Sequence, residues 1–138
     1  MITRDDVIDL FAHLETGHAD EFFQRVAEDV QWTVMGTHPL AGTYTSKEEF
    51  LNATFRRLDK ILEQGVRLKV THTYLEGSTA IVEMESLSVA KSGKPFNNIY
   101  CWIVAFNESG MIVGVRAYVD TALVKEVIDE NEPHLINI

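Results

Sequence analysis

The sequence predicts an α+β domain in which a curved antiparallel sheet wraps around N-terminal helices to form a cone. Before residue 66, apolar residues recur mostly at helical spacing, with one strand between two helical stretches. From residue 66 to residue 120, apolar and polar residues alternate with the period of β-strands. Glycine-containing turns at 75–77 and 107–110 divide this second part into two hairpins. Helices followed by paired strands are typical of an α+β architecture.

Three helices are predicted in the first part of the chain. The first spans residues 3–17, and a short second helix spans residues 20–27. The third begins at Ser46, which with Glu49 three residues later matches a capping box, and it runs to about residue 64 before Gly65. A short last helix, 121–128, follows the sheet with Asp120 as its N-cap.

The segment between the second and third helices predicts a strand followed by a pocket mouth. Val30, Trp32 and Val34 alternate with polar residues, as in a half-buried strand. The segment 36–42 then contains two glycines and a proline, which interrupt regular structure. Its position between a strand and a helix favours an irregular loop at the opening of a cavity.

Turn chemistry predicts the register of both hairpins. A three-residue turn ending at Gly77 pairs Val70 with Val82, and a four-residue loop at 107–110 pairs Trp102 with Val115. The same registers predict these further pairs: Leu68 with Met84, Lys69 with Glu83, Arg67 with Glu85, and Tyr100 with Ala117. Each hairpin then has an apolar face that can pack on the helices.

The strand 99–106 is apolar on both faces, so both faces need cover. Helices cover one face, and a second subunit is the simplest cover for the other. The sequence therefore predicts a homodimer through an outer sheet face that contains Ile99, Cys101, Ile103 and Tyr118.

Composition restricts the class of protein. The 138 residues are sufficient for one domain with a core, and the net charge of −9 disfavours nucleic acid and anionic membranes as partners. Cys101 is the single cysteine, and the five histidines show no metal-ligand spacing, so neither a metal nor another cofactor is expected. The N-terminus shows no signal-peptide pattern, which predicts a cytoplasmic location.

The order of these elements, together with Trp32, the segment Gly36–Tyr44 and the segment Tyr118–Thr121, resembles the SnoaL-like family. That family belongs to the nuclear-transport-factor-2-like superfamily, which also contains ketosteroid isomerase and limonene-epoxide hydrolase. The resemblance implies one domain over residues 1–138, with helices that close one end of a cone around a hydrophobic pocket. It indicates the fold more strongly than the function, because one fold can support many functions.

The catalytic groups of both relatives are missing where the resemblance would place them. The general base of ketosteroid isomerase would fall near Val34, its tyrosine near Leu10 and its second aspartate near Trp102. One acid of the epoxide hydrolases would fall at Ala117, within the segment 115–120. Neither mechanism is therefore expected in this chain.

A pocket lined by aromatic side chains remains the main functional prediction. His72 lies on the predicted inner phase of its strand, so we expect it to be the general base of any proton transfer, with Tyr100 or Trp102 as donor to an oxyanion. The expected ligand-binding residues are Trp32, Met35, His38, Tyr44, Phe55, Met84, Asn98, Tyr100, Trp102, Val115 and Ala117.

Three functions are compatible with this pocket. One is a cofactor-independent isomerase, cyclase or lyase that acts on a hydrophobic or polycyclic molecule by proton transfer. The second is a binding module without catalysis, which the missing acids favour. The third is a structural dimerisation domain, which is expected if bulky side chains fill the cone completely.

Overall fold

The computed structural model describes residues 1–135 of the chain and contains the predicted α+β cone. The helices are α1 (Arg4–Glu15), α2 (Ala19–Phe23), α3 (Lys47–Ala53), α4 (Phe55–Asp59) and α5 (Thr121–Asn131), which a 3₁₀ turn at Glu132–His134 follows. The strands are β1 (Val26–Val34), β2 (Gly42–Tyr44), β3 (Leu68–Glu76), β4 (Thr79–Ser86), β5 (Ser88–Val89), β6 (Pro95–Phe96), β7 (Ile99–Phe106) and β8 (Ile112–Val119).

Six strands form the main sheet in the order β2-β1-β8-β7-β4-β3, and β5 pairs with β6 in a small second sheet. All neighbouring pairs of the main sheet are antiparallel except β1 and β8, which run parallel. The parallel pair differs from the fully antiparallel prediction. It is possible because α3, α4 and two hairpins separate β1 from β8, giving the chain the long crossover that parallel strands require.

Local side-chain hydrogen bonds explain where the helices begin. At the start of α1, the Thr3 hydroxyl accepts from the Asp6 N–H while the Asp6 carboxylate accepts from the Thr3 N–H, a complete capping box. Ser46 caps α3 by accepting from the Glu49 N–H, and Asp120 caps α5 by accepting from the Leu123 N–H. All three predicted starts are confirmed.

Two predicted helices are shorter than expected. The second ends at Phe23 because the chain already joins the sheet at Val26, where the Ile112 N–H donates to the Arg25 carbonyl at 2.7 Å. The third is divided at Thr54, whose backbone leaves the helical region and whose hydroxyl donates to the Phe50 carbonyl at 2.7 Å. A threonine hydroxyl that competes for a backbone carbonyl bends a helix in this way.

The first hairpin differs from the predicted register. Its turn has two residues, with Gly77 at φ +60° in the first loop position, so that Glu76 pairs with Thr79. The pairing then shifts by one residue at a β-bulge between Val70 and His72. The turn and the bulge together reverse the face of residues 72–76 but leave the face of residues 68–70 as predicted.

The second hairpin also differs in register, but its faces are as predicted. Trp102 pairs with Ala117 rather than with Val115, which pairs with Val104. The turn is one residue shorter than predicted, because the Asn107 N–H donates to the Met111 carbonyl at 2.8 Å, and a bulge near Ile112 adds a second shift. Two single shifts sum to two residues, which is the period of a strand, so residues 99–105 and 114–119 keep their faces. Ile112 lies before the second shift, and it is buried in the core although the alternation predicts it on the outer face.

The core lies between the helices and the inner face of the sheet. It combines buried residues of α1 and α2 with alternate residues of β1, β4, β7 and β8. On β7, residues 100, 102, 104 and 106 are buried, whereas Ile99 is 71% exposed on the opposite face.

We predict that Gly36→Ala destabilises the fold at the loop after β1. Gly36 has φ +111°, and a Cβ there would lie 2.5 Å from Thr121 Cγ2 at the start of α5. Backbone strain of this kind costs about 1–3 kcal/mol, and the clash adds to it. Urea denaturation should show a lower free energy of unfolding than for Gly77→Ala, because nothing lies within 4 Å of a Cβ at Gly77.

A double variant separates the clash from the backbone strain in this prediction. Thr121→Ser removes Cγ2, so adding it to Gly36→Ala should recover part of the lost stability. If Gly36→Ala and Gly77→Ala lower the free energy of unfolding equally, and Thr121→Ser recovers none of the loss, the loop does not pack closely against α5.

Candidate functional site

An apolar cavity of about 50 Å³ lies between the inner face of the sheet and helices α3, α4 and α5. Six of the predicted ligand-binding residues line it: Trp32, His38, Phe55, Tyr100, Trp102 and Ala117. Sequence reasoning did not assign Phe50, Thr54, Leu58 or Val124 to the site, although they also line it. We call this space the aromatic cavity.

Aromatic rings occupy most of the cone. Trp32 stacks on Phe50 with ring centroids 3.9 Å apart, and it meets Trp102 edge-on at 5.1 Å. Phe55 lies 6.5 Å from Trp102 and contacts Phe23 edge-on at 5.0 Å. The remaining space is much smaller than the several hundred Å³ of typical ligand pockets, so it is too small for a polycyclic molecule in this conformation.

His38 forms part of the cavity wall but is also bound to its own loop. Its ring is 6% exposed, Nε2 donates to the Met35 carbonyl at 3.0 Å, and Nδ1 accepts from the Leu40 N–H at 3.2 Å. This pattern requires the neutral imidazole with its proton on Nε2. These two hydrogen bonds therefore hold the segment 36–42 in place at the mouth of the cavity.

Tyr100 contributes a buried hydroxyl to the wall. Burial raises the pKa of Tyr100 well above its ordinary value, and a hydrogen bond with Ser86 opposes this shift. The phenol therefore stays protonated at neutral pH, so it can donate a hydrogen bond but cannot serve as a base.

Helix α5 closes the cavity from the side opposite the sheet, where Val124 reaches the wall. Polar contacts hold this helix and the turn that follows it. Glu132 accepts two hydrogen bonds from Arg57 of α4, one of them at 2.8 Å, and this pairing raises the pKa of the guanidinium. Glu126 pairs with Lys94 at 2.7 Å, and Asn131 accepts from the Ser92 N–H at 2.9 Å.

The predicted position of His72 is wrong. The bulge between Val70 and His72 turns the ring to the outer face, where the side chain is 62% exposed. Its Nδ1 lies 3.2 Å from Glu83 Oε1, and its ring is parallel to that of Tyr74. Because His72 does not reach the cavity, it cannot remove a proton from a molecule bound there.

Five predicted ligand-binding residues lie outside the lining of the aromatic cavity: Met35, Tyr44, Met84, Asn98 and Val115. Met84 and Val115 are buried within the sheet layer, and Met35 is half-buried where β1 ends. The Tyr44 hydroxyl donates to the Leu40 carbonyl at 2.8 Å, so it holds the mouth loop rather than facing the cavity.

Asn98 joins the end of the sheet to α5. Its side-chain oxygen accepts from the backbone N–H groups of Ile99 and Asp120 at 2.8 and 3.0 Å, and its Nδ2 donates to the Asp120 carbonyl. Its own N–H donates to Ser86 Oγ at 2.7 Å. These bonds give both the oxygen and the nitrogen of the amide a partner, which explains its burial without a ligand.

The predicted outer face is apolar and exposed as expected. Ile99 and Tyr118 are 71% and 43% exposed, while Cys101 and Ile103 are half-buried. The apolar surface continues onto neighbouring strands, because Ile103 pairs with Ile81, which is 39% exposed. We call these five residues the outer apolar face.

Two features are absent from the described residues 1–135. Within them, no group of three or more His, Cys, Asp or Glu side chains is arranged to hold a metal ion. None of the helices in this range has both the length and the apolar character needed to cross a membrane.

Comparison with solved structures places the fold in the nuclear-transport-factor-2-like class. An NTF2-like protein from Burkholderia thailandensis has a TM-score of 0.78 and 27% identity, covering 93% of this chain and 98% of its own. A cystatin-like-fold protein from Xanthomonas campestris has a TM-score of 0.75 at 16% identity, covering 91% and 98%. A ketosteroid isomerase-like fold from Catenulispora acidiphila, solved in complex with trimethylamine, has a TM-score of 0.70 at 18% identity, covering 88% and 91%.

The sequence model of the SnoaL-like domain matches residues 7–115, so the chain belongs to the SnoaL-like family. Two curated relatives are fungal. Dimerizing cyclase phiC of a Fungal sp. is 28% identical over 129 residues, which are 91% of this chain and 57% of that protein. Dimerizing cyclase tstC of Talaromyces stipitatus is 26% identical over 113 residues, which are 80% and 50%. The chain thus spans about half the length of the curated relatives it matches.

We predict that Asn98→Ala lowers the stability of the fold. Removing the amide takes the partner from the part-buried N–H groups of Ile99 and Asp120 and from the Asp120 C=O, which should cost about 1–3 kcal/mol in free energy of unfolding. Asn52→Ala is the control, because Asn52 is exposed and its amide contacts the exposed side chains of Arg56 and Glu48. Equal, small effects of both substitutions in thermal and urea denaturation would contradict the structural role of Asn98.

Proposed function

We propose that this SnoaL-like domain binds a compact, mostly apolar small molecule in the aromatic cavity. The observation that carries the proposal is the composition of the wall, in which Trp32, Phe55 and Trp102 surround a space without a charged side chain. Sites that are mostly apolar with a few placed polar groups are typical of small-molecule binding. The polar groups here are the ring of His38, the hydroxyls of Thr54 and Tyr100, and the two indole N–H groups.

An isomerase- or cyclase-type proton transfer is the second candidate function. The names of the two fungal relatives favour it, and His38 supplies an imidazole in the cavity wall. In such a reaction His38 would take a proton from a carbon atom of the ligand, while the Tyr100 hydroxyl would donate a hydrogen bond to the oxygen that becomes negative.

Binding without catalysis is better supported than proton transfer. His38 Nδ1 already accepts from the Leu40 N–H, so it would have to release that bond before it could accept a proton from a ligand. His72, the base that the strand pattern favours, lies on the outer face. We expect no cofactor in this site and a cytoplasmic location for the protein.

We predict that the cavity binds cyclopentanone and that changes in cavity volume alter its affinity. Phe55→Leu enlarges the space and should tighten binding, whereas Ala117→Val adds two methyl groups to the wall and should weaken it. Isothermal titration or ligand-observed NMR measures both. Ala122→Val is the matched control, because Ala122 is exposed on α5 and does not line the cavity.

The same titration separates the three candidate functions. Exchange of the ketone's α-protons with deuterium from the solvent, lost in His38→Gln, would support proton transfer. Binding without exchange would support a binding module. Absence of binding in both the native protein and Phe55→Leu would contradict the proposal and favour a structural dimerisation domain.

We also propose that the protein is a homodimer through the outer apolar face. Ile99, Cys101, Ile103 and Tyr118 form one continuous surface with Ile81, and exposed apolar surfaces of this kind favour association. A second copy would cover the three isoleucines and the tyrosine symmetrically.

We predict that Ile99→Lys dissociates this dimer. The side chain is 71% exposed in a single chain, so lysine should cost little stability there but would place a charge in the contact. Sedimentation at micromolar concentration should change from twice the mass of one chain to the mass of one chain. Val89→Lys, on β5 outside the main sheet, should stay dimeric, and a native protein that sediments as a monomer would contradict the proposal.

A further inference from the structure

We infer that the ligand of the aromatic cavity carries a hydrogen-bond acceptor, such as a ketone oxygen, that pairs with the indole N–H of Trp32. This inference rests on the proposed binding function. It names the chemical class of the ligand: a compact, uncharged molecule with an apolar body and one acceptor atom. It also makes Trp32 the residue that selects for that atom.

The first observation is that Trp32 has a polar atom without a partner. Trp32 is fully buried, lines the cavity, and its Nε1 has no hydrogen-bond partner. Burying a donor without an acceptor is costly, and native proteins rarely leave one unpaired. A donor of this kind in the wall of a cavity therefore indicates a group that the ligand supplies.

The second observation is that other polar groups of the wall are already occupied. Both ring nitrogens of His38 bond to backbone atoms, and the Thr54 hydroxyl donates to the Phe50 carbonyl. The two other buried side-chain polar atoms without partners in residues 1–135 belong to Arg67 and Thr73, which do not line the cavity. Within these residues, Trp32 is thus the cavity-lining side chain that has a buried polar atom without a partner.

The third observation concerns charge and position. No cavity-lining side chain carries a carboxylate, an ammonium or a guanidinium group, so the wall offers no partner for an ionic ligand. Stacking on Phe50 at 3.9 Å and edge contact with Trp102 hold the indole in place. A rigid donor in an apolar wall is suited to an uncharged acceptor.

The test compares two rings of the same shape, cyclopentanone and methylenecyclopentane, which differ in a carbonyl oxygen. The chain contains two tryptophans, so ¹⁵N-labelled protein gives two indole N–H resonances, and Trp102→Phe leaves that of Trp32. We expect the ketone to shift the Trp32 proton downfield in a saturable way and to bind roughly three- to tenfold more tightly than the alkene.

Trp32→Phe should remove this preference while it keeps an aromatic ring against Phe50. Tyr74→Phe is the control and should retain it, because Tyr74 is an exposed aromatic residue that does not line the cavity. Equal affinities for the two rings, with an unmoved Trp32 resonance, would overturn the inference but leave cavity binding intact. A Trp32 indole resonance that lies upfield and does not move when the ketone is added would also overturn the inference. The N–H would then lie over the Trp102 ring and would already have a partner in its π electrons. If neither ring binds, the proposed function itself fails.

Discussion

The stack between Trp32 and Phe50 links the sheet of this protein to the helices that close its cone. Trp32 comes from β1, which lies between the edge strand β2 and β8, and Phe50 comes from α3, so their contact at 3.9 Å sets the distance between the two layers. Trp102 and Phe55 then pack around this pair from β7 and α4. The aromatic cavity is the space left where Trp102 and Phe55 meet this stacked pair at steep angles rather than in parallel.

The loop at the mouth of the cavity depends on the same distance between the sheet and the helices. The segment 36–42 approaches α5 so closely that only a glycine fits at position 36, and His38 folds back onto Met35 and Leu40. Arg57 supports this loop through the Pro39 carbonyl while it holds Glu132 beyond α5. Helix, loop and sheet therefore line the cavity together.

The sequence predicted the layers and faces of the fold better than the pairing of its strands. Capping residues such as Thr3 and Ser46 act locally, so the helix starts could be predicted from neighbouring residues. Register depends on turn length and on bulges, which alternation alone does not reveal. In the second hairpin two one-residue shifts add up to one strand period, so Trp102 stays on the inner face of the sheet. In the first hairpin one bulge places His72 on the outer face.

The residues that line the aromatic cavity were also predictable only in part. Aromatic residues on the inner phase of β1 and β7 were expected in the wall, and they are there. Asn98 and Tyr44 were expected to meet a ligand, but their hydrogen bonds are made to backbone groups, which a pattern of side chains does not show. Val124 was missed because the last helix was considered as a terminal element rather than as a cover for the cone.

A crystal structure under xenon pressure tests the central claim most directly, since small apolar cavities accept this atom without a specific contact. The account predicts an anomalous peak among Trp32, Phe55 and Trp102, with the rings close to their positions here. A peak confined to the outer apolar face, with none inside the cone, would show that the interior is closed by side chains and would contradict the claim.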